Sequence, residues 1–222
     1  MRFQRDDHGF GTVATLDIET THYDAERGEV VSVGIGHHEL GAPAGEAEYE
    51  LFHRDVDGEP ALITRSMDYL NGLDADGLVT YNGRGFDVEF LVDRMYRLGE
   101  DNPRPELDGD DTHIDIFADR KQRADQRGEK WPALEECLES YDLPVPKTLW
   151  NGRTVTNKLF GREVGPVFLD AVASDSDDVA AFHDLIDHYL RTDLEANLAL
   201  YYADIGRDFE PVHLGTETSV DV

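Results

Sequence analysis

Alternation of apolar and polar residues predicts strands in the first part of the chain. An apolar run, Thr12–Leu16, is followed by a turn-rich connection and then by a predicted buried strand over Val30–Gly36. A third strand is predicted over Ala47–His53 and a fourth over Gly77–Tyr81. Because short connections join the first three strands, we expect these strands to be antiparallel.

Helical spacing of apolar residues dominates the rest of the chain. It predicts helices over Leu62–Leu73 and Phe86–Leu98, and Gly99 is expected to end the second of these. His113–Phe117 is predicted to be a fifth strand, and the following segment, 118–174, to be mostly helical between prolines and glycines.

A final long helix is predicted from near Asp177, capped by Ser176, to about Ala203. The residues from Phe209 onward are expected to form a loose tail. Strands followed by strand–helix units predict an α/β fold, a mixed five-stranded sheet flanked by helices. The length of 222 residues favours one domain over 1–222, with a core of about 12–206 and short tails.

Composition adds an extreme charge to this picture. The formal net charge is -28, and acidic residues occur along the whole chain. Such a domain repels itself and nucleic acid at ordinary ionic strength, but molar salt screens most of both effects. The composition therefore resembles that of a halophilic cytoplasmic protein, and acidity is weak evidence against a nucleic-acid substrate. A basic protein partner is the rival explanation.

Other features of the composition favour an intracellular, cytoplasmic protein without a membrane partner. No apolar run approaches the length of a membrane span, and the polar N-terminus, Met1–Asp7, lacks the apolar core of a signal peptide. The single cysteine, Cys137, excludes an internal disulfide and a cysteine-based metal site. Its apolar neighbours at helical spacing favour a buried structural thiol.

The segment Thr15–Thr20 carries the first candidate chemistry. On a strand, Asp17 and Glu19 share one face, and their attachment points lie about 6–7 Å apart. Two carboxylates at that spacing can reach one metal ion or a close pair of ions. A solvated strand end is the alternative, so the rest of the chain must decide between the two interpretations.

Two further carboxylates lie in informative places. Asp87 follows a glycine-bearing strand-to-helix turn, Tyr81–Phe86, where α/β sheets place their ligand sites. Asp193 lies in the middle of the apolar face of the last helix. An ionised carboxylate on a buried face costs several kcal/mol unless it is paired or binds metal. An arginine partner, such as Arg84 or Arg94, is the alternative explanation for Asp193.

The last helix also offers two proton-handling groups. Tyr189 precedes Asp193 by four residues and shares its face, whereas His188 points about 140° away on a continuous helix. An unbroken helix favours Tyr189, and a break near His188 would favour the histidine. The pair His183–Asp184 matches metal phosphohydrolases only weakly, because no further histidines show ligand spacing.

The three segments together resemble the three exonuclease motifs of the DEDD superfamily of 3'-5' exonucleases. These segments are Asp17-Ile18-Glu19, Asn82 to Asp87, and Tyr189-x-x-x-Asp193. The second is most similar to the tyrosine-bearing subgroup, which includes the proofreading domain of family B DNA polymerases. The resemblance covers roughly Thr12 to Leu200 and implies a ribonuclease H-like fold. His188 also satisfies the spacing of the histidine-bearing subgroup, so the general base stays open.

The resemblance implies a function and a set of site residues. The expected activity is hydrolysis of terminal phosphodiester bonds with two Mg²⁺ or Mn²⁺ ions. Single-stranded 3' ends are the expected substrate, with DNA favoured and RNA as the alternative, and replication or repair proteins are candidate partners. The implied residues are metal ligands Asp17, Glu19, Asp87 and Asp193, general base Tyr189 or alternatively His188, and substrate contacts Thr20, Asn82 and Phe86. A ribonuclease H-like endonuclease or junction resolvase, and a non-catalytic partner-binding module, are the alternatives.

Overall fold

A mixed five-stranded sheet forms the centre of the fold. A computed structural model describes residues 1–5, 9–101 and 104–222. The sheet has the order β3-β2-β1-β4-β5. Its strands are β1 (Thr12–Thr20), β2 (Val30–Glu39), β3 (Glu48–His53), β4 (Gly77–Thr80) and β5 (His113–Asp115). The first three strands are antiparallel, and β4 and β5 run parallel to β1, which confirms the predicted α/β architecture.

The fifth strand is shorter than the sequence predicted. It ends at Asp115, whose side chain accepts hydrogen bonds from the backbone N–H groups of Phe117 (3.0 Å) and Ala118 (3.2 Å). These bonds satisfy two donors that the start of a helix leaves unpaired. The next helix, α3 (Ile116–Arg127), therefore begins directly where the strand ends.

Helices cover both faces of the sheet. The α-helices in the described residues are α1 (Gly58–Gly72), α2 (Asp87–Leu98), α3 (Ile116–Arg127), α4 (Leu134–Ser140), α5 (Asn157–Leu159), α6 (Gly165–Ala173) and α7 (Val179–Asp204). A 3₁₀ turn over Ala44–Glu46 precedes β3, and a π-helical turn over Phe160–Val164 lies between α5 and α6. Gly99 ends α2 in the left-handed conformation, as predicted. Cys137 is buried in α4, also as predicted.

The alternation of β1 determines which side chains meet which helix. Leu16 and Ile18 belong to the same buried cluster as the apolar side of α1 and α2. Val13 packs in a different cluster with α7, and Thr15 on that side accepts a hydrogen bond from Asn197 of α7 at 3.1 Å. Because odd-numbered side chains of β1 face α7, the strand presents its acidic residues to that helix.

The C-terminal segment is not the loose tail that the sequence suggested. Strand β8 (Glu217–Val220) pairs in parallel with β6 (Lys147–Trp150), and β7 (Arg153–Thr154) completes a second, three-stranded sheet. The prediction that 118–174 is mostly helical was therefore wrong for β6 and β7. Each strand is short, so neither carries the longer alternation by which a sequence indicates a strand.

A buried carboxylate attaches the C-terminal segment to α7. Glu195 accepts hydrogen bonds from the backbone N–H groups of Val212 (2.7 Å), His213 (2.6 Å) and Leu214 (2.6 Å). Three donors to one carboxylate compensate its burial. The segment before β8 is therefore held to the protein by a side chain that lies far away in the sequence.

The long last helix is continuous, as its periodicity predicted. Asp178 precedes its first residue, and Ser176 does not serve as the predicted cap. Near the N-terminus, the backbone N–H of Arg5 donates to the carbonyl of Asp204 at 2.8 Å, while Asp6 and Asp7 of the polar N-terminal stretch lie outside the described residues. Across the described ranges, no helix is both long and apolar enough to cross a membrane.

Candidate active site

Three carboxylates meet where β1 faces α7. Asp17 and Glu19 come from β1, and Asp193 comes from α7. Each offers one oxygen such that the three oxygens all lie within 4.8 Å of one another. In the part of the chain that the structure describes, this is the one cluster of three or more side chains arranged to hold a metal ion.

The carboxylates destabilise one another's charged forms. Burial raises the pKa of Asp17 from its usual 3.8 to about 7. Burial also raises the pKa of Glu19 well above its usual range, with further contributions from the charges of Asp17, Asp193 and Asp87. The pKa of Asp193 is raised first by burial and then by Asp17 and Glu135. Such a site favours either protons or a cation.

Asp87 is the fourth predicted carboxylate and lies at the edge of this cluster. It is the first residue of α2 and is almost fully buried, but it is not a member of the close group of three. Burial raises its pKa well above the usual range, and the charges of Asp17 and Asp115 add to that increase. Asp87 lines the same pocket as the three carboxylates, so it belongs to the same acidic environment.

The arginines that could have explained Asp193 lie elsewhere. Arg84 donates to the side chain of Asp110 at 3.1 Å. Arg94 forms a two-pronged ion pair with the buried Glu59, at 2.8 and 2.6 Å. Among the described residues, none of the ion pairs involves a carboxylate of the close group. The cluster is therefore uncompensated by side-chain cations, and its hard oxygen donors are of the kind that Mg²⁺ and Mn²⁺ prefer.

Tyr189 and His188 point to different parts of the structure. Tyr189 donates to the side-chain oxygen of Asn157 at 2.8 Å, and its ring stacks on Phe160. Burial raises its pKa well above the usual range, followed by the charges of Glu19, Asp193 and Asp17. The ring nitrogens of His188 instead bond Thr148 (2.7 Å) and Thr216 (2.9 Å), beside the second sheet. Tyr189 is thus the neighbour of the carboxylates.

The remaining histidines do not form a metal centre in the described ranges. His183 stacks on His53 with ring centroids 4.5 Å apart. His53 shares a hydrogen bond of 2.7 Å with Asp187 and one of 2.9 Å with Ser32. The weak similarity of His183–Asp184 to metal phosphohydrolases finds no support in this arrangement, because within residues 1–5, 9–101 and 104–222 only the carboxylate cluster provides three converging ligands.

The carboxylates open into a pocket of about 300 Å³. The three predicted substrate contacts all line it, namely Thr20, Asn82 and Phe86. Asn82 adopts a left-handed φ of 71°, and its backbone N–H donates to Asp115 at 2.9 Å. This turn places the side chain of Asn82 beside the start of α2.

Sequence reasoning missed several residues of this pocket. They are His22, Tyr23, Asn157 and Gly161. The first two follow β1 directly, so their position next to the acidic strand end was a usable signal. The other two lie more than 130 positions away from β1, and a Cβ on Gly161 would meet the carbonyl oxygens of Thr21 and Thr20 at 3.1 and 3.2 Å. Nothing local in the sequence indicates that approach.

Comparison with known proteins identifies the family. Residues 14–156, more than half of the chain, match the RNase H superfamily. The chain belongs to the RNase H superfamily. The matched region includes β1 and the turn before α2, so it contains Asp17, Glu19 and Asp87. It ends before α7, which supplies Asp193.

Curated relatives of this RNase H superfamily chain include archaeal DNA polymerases. The chain is 27% identical over 174 residues to the DNA polymerase of Pyrococcus horikoshii, across 73% of this chain and 13% of the polymerase. It is 27% identical over 115 residues to that of Thermococcus aggregans, across 46% of this chain and 6% of the polymerase. The chain thus spans only a small part of these relatives.

Solved structures with a similar fold include two kinds of protein. The family B DNA polymerase of Pyrobaculum calidifontis matches with a TM-score of 0.47 and 17% identity, over 87% of this chain and 27% of that one. E. coli Exonuclease I in complex with an oligonucleotide matches with a TM-score of 0.41 and 16% identity, over 60% of this chain and 36% of that one. The family match over residues 14–156 confirms the predicted ribonuclease H-like fold.

Proposed function

We propose that this chain is a metal-dependent 3'-5' exonuclease that removes nucleotides from single-stranded ends, with DNA favoured over RNA. The observation that carries the proposal is the close group of Asp17, Glu19 and Asp193, whose oxygens converge within 4.8 Å without a cationic partner in the described residues. A folded protein retains such a group at a cost, so a function that requires it is the economical explanation.

The donor set suits divalent cations that prefer oxygen. Asp17, Glu19 and Asp193 would hold Mg²⁺ or Mn²⁺, with Asp87 contributing from the first turn of α2. When bound, two such ions supply Lewis-acid activation of water and stabilisation of the leaving oxygen. The protein's own part is to hold four acidic side chains on rigid elements, so that the geometry does not depend on a mobile loop.

Tyr189 is the proposed water-orienting residue. Its raised pKa keeps the phenol protonated, so its hydroxyl can donate a hydrogen bond near the carboxylates. The current acceptor is Asn157, a residue of the pocket wall. His188 is an unsuitable candidate because both of its ring nitrogens are engaged by threonine hydroxyls. This assignment fits the tyrosine-bearing subgroup.

The pocket favours the end of a strand over its interior. A volume of about 300 Å³ is at the lower end for ligand sites, which suits one terminal nucleotide. Thr20 and Asn82 offer polar groups and Phe86 an aromatic face on which a base can stack. Two cations, Lys158 and Arg162, are exposed beside the wall residues Asn157 and Gly161, and they can neutralise phosphates there.

The test is cleavage of a 5'-labelled single strand in molar KCl with Mn²⁺. The wild type should release nucleotides stepwise from the 3' end, and Asp193→Ala should lose at least about a hundredfold in rate because a metal ligand is removed. Asp184→Ala is a matched control, since Asp184 is an exposed acid on the same helix. Cleavage by Asp193→Ala at the wild-type rate would contradict the proposed site.

The same experiment separates the alternatives. A circular single strand has no end, so its cleavage would identify an endonuclease or junction resolvase instead of an exonuclease. A wild-type protein that is folded in molar salt yet inert on DNA and RNA with either cation would favour the partner-binding module. Parallel labelled DNA and RNA strands measure the expected preference for DNA.

A further inference from the structure

One segment of this acidic protein carries net positive charge. Residues 116–131, which comprise α3 and the turn after it, contain five basic and three acidic side chains, whereas the rest of the chain contains 15 basic and 45 acidic ones. Arg120 is fully buried in an ion pair with Asp204, which leaves four basic and three acidic side chains in the segment. A segment of this charge repels a polyanion less than the rest of a chain of net charge -28 does. Two of these cations, Arg127 and Lys130, are exposed.

An exposed aromatic ring lies on this segment. Trp131 is 49% exposed, and the ammonium group of Lys121 lies 4.3 Å from the centroid of its ring. Its indole N–H donates to the side chain of Asp125 at 2.7 Å, which fixes the orientation of the ring. We call Lys121 and Trp131 the α3 platform. Because Lys121 covers one face of this half-exposed indole, a base would stack on the opposite face while the ammonium group contacts a phosphate.

A chain of rings joins the α3 platform to the carboxylate pocket. Trp131 makes an edge contact with Phe117 at 6.1 Å, and Phe117 contacts Tyr81 at 5.3 Å. The hydroxyl of Tyr81 donates to the carbonyl of Pro132 at 2.7 Å. Tyr81 directly precedes Asn82, which lines the pocket. The platform is therefore anchored through one layer of side chains to the wall of the site.

A second cavity that shares Tyr23 and Phe86 with the pocket has exposed rings but an acidic lining. This groove of about 590 Å³ contains Tyr23 and Tyr96, which are 77% and 80% exposed. Its polar lining is acidic and consists of Asp24, Glu89, Asp93 and Glu100. A phosphodiester backbone in that groove would meet four carboxylates and no basic side chain among the lining residues. The α3 side also contains acids, among them Glu136, which pairs with Lys130 at 3.3 Å. Unlike the groove, however, it contains basic side chains, so charge favours the α3 side as the path of the strand.

Resting on the proposed exonuclease function, we propose that the α3 platform binds the single strand upstream of the nucleotide being removed. Trp131 stacks on a base, Lys121 contacts a phosphate, and the segment repels the backbone less than the rest of the chain does. The platform thus contributes to the affinity for strands that extend beyond the pocket, and it does not contribute to the hydrolysis of a substrate confined to the pocket.

The test compares a long substrate with a minimal one. Binding of fluorescein-labelled dT15, protected by 3' phosphorothioates, is followed by anisotropy with Ca²⁺ in 0.3–1 M KCl. Trp131→Ala should raise Kd about tenfold, and Trp131→Phe should restore most of the affinity because a stacking ring is kept. Lys121→Gln should reduce the slope of log Kd against log salt by about 0.7. Tyr96→Ala is the matched control and should leave Kd unchanged.

Hydrolysis of thymidine 5'-(p-nitrophenyl phosphate) with Mn²⁺ reports on the carboxylate site alone. All three platform variants should retain the wild-type rate on this ester. If the wild type cleaves neither the ester nor any strand, the proposed function fails, whereas the binding data still judge the platform. Equal affinity of wild type and Trp131→Ala for dT15, or a loss confined to Tyr96→Ala, would overturn the platform.

The tryptophan content provides an independent measurement. The chain has two tryptophans, and the other one, Trp150, is buried. In a Trp150→Phe background, emission therefore comes from Trp131, and stacking of thymine should quench it in proportion to the bound fraction. An unchanged emission while anisotropy reports binding would place the strand elsewhere and refute the proposal.

Discussion

Neutralising one carboxylate of the site should make the metal-free protein more stable. Asp17 belongs to the close group, and burial raises its pKa from the usual 3.8 to about 7. Because the folded pKa exceeds the unfolded one, the contribution of Asp17 is fully favourable only below about pH 4. That contribution is lost as the pH rises from about 4 to about 7. The variant Asp17→Asn has no charge to lose and should escape this decline.

The magnitude follows from the size of the pKa difference. A shift from 3.8 to about 7, at about 1.4 kcal/mol per unit, costs the metal-free folded state up to about 4 kcal/mol at pH 7. Because the side chain is partly exposed, water reduces this cost, and we expect Asp17→Asn to gain about 2–4 kcal/mol at pH 7. At pH 4 both proteins should have nearly the same free energy of unfolding.

The assay is urea unfolding with EDTA in molar KCl at pH 4, 5.5 and 7. Molar salt screens the general repulsion of the acidic surface, while the buried group is screened much less. Mn²⁺ at about a thousand times Kd should reverse the order, because binding to the folded state then adds about 4.1 kcal/mol to the wild type and much less to the variant. Asp17 would then lower the stability of the metal-free protein and yet be required for metal binding and activity.

Two results would refute this reasoning. A difference between wild type and Asp17→Asn that does not change with pH would show that the carboxylate is not destabilised by burial. A variant that is less stable than the wild type at pH 7 without metal would show that Asp17 has a stabilising partner. The control is Asp177→Asn, an exposed acid before α7, which should change neither the stability nor its response to Mn²⁺.

Three further predictions concern the neighbours of the site. Tyr189→Phe should lower kcat on a labelled strand by about tenfold or more, whereas His188→Ala should change it less than threefold, because of the two only the tyrosine contacts the pocket wall. A larger loss of kcat in His188→Ala than in Tyr189→Phe would assign the base to the histidine. Gly161→Ala should lower kcat by up to about a hundredfold with little change in Tm, because its Cβ would lie 3.2 Å from the carbonyl oxygen of Thr20. Wild-type kinetics would show that the backbone around Thr20 can shift to accommodate the added methyl group. Glu195→Ala should cost about 2–4 kcal/mol of unfolding free energy by removing the acceptor of three N–H groups; hydrogen exchange should speed up in β8, and unchanged protection there would contradict the anchor.

Much of the fold could be predicted because it follows from the local periodicity of apolar and polar residues. Alternation gave β1 with its acidic face, and helical spacing gave α2 with its stop at Gly99. The second sheet could not be predicted, since β6 and β8 are four residues each and become strands only by pairing with each other. A short strand forms its hydrogen bonds with a partner strand, and the local sequence does not indicate which segment that partner is.

The candidate site divides along the same line. The sequence alone determined that Asp17 and Glu19 share a face of β1 and that Asp193 lies on the apolar side of the last helix, because both follow from fixed geometric periods. Tertiary structure alone decided that these faces meet, that Arg84 and Arg94 bind other carboxylates, and that Tyr189 rather than His188 neighbours the cluster.

Residues 116–131, which include α3, also show what a sequence alone does not determine. The charged residues of this segment can be counted in the sequence, but the position of the segment beside the pocket depends on ring contacts between Trp131, Phe117 and Tyr81. Local geometry is set by the backbone's own periods, so a sequence reveals it directly. Long-range proximity depends on which apolar faces pack together and which buried charges are paired, and these contacts are determined only in the folded chain.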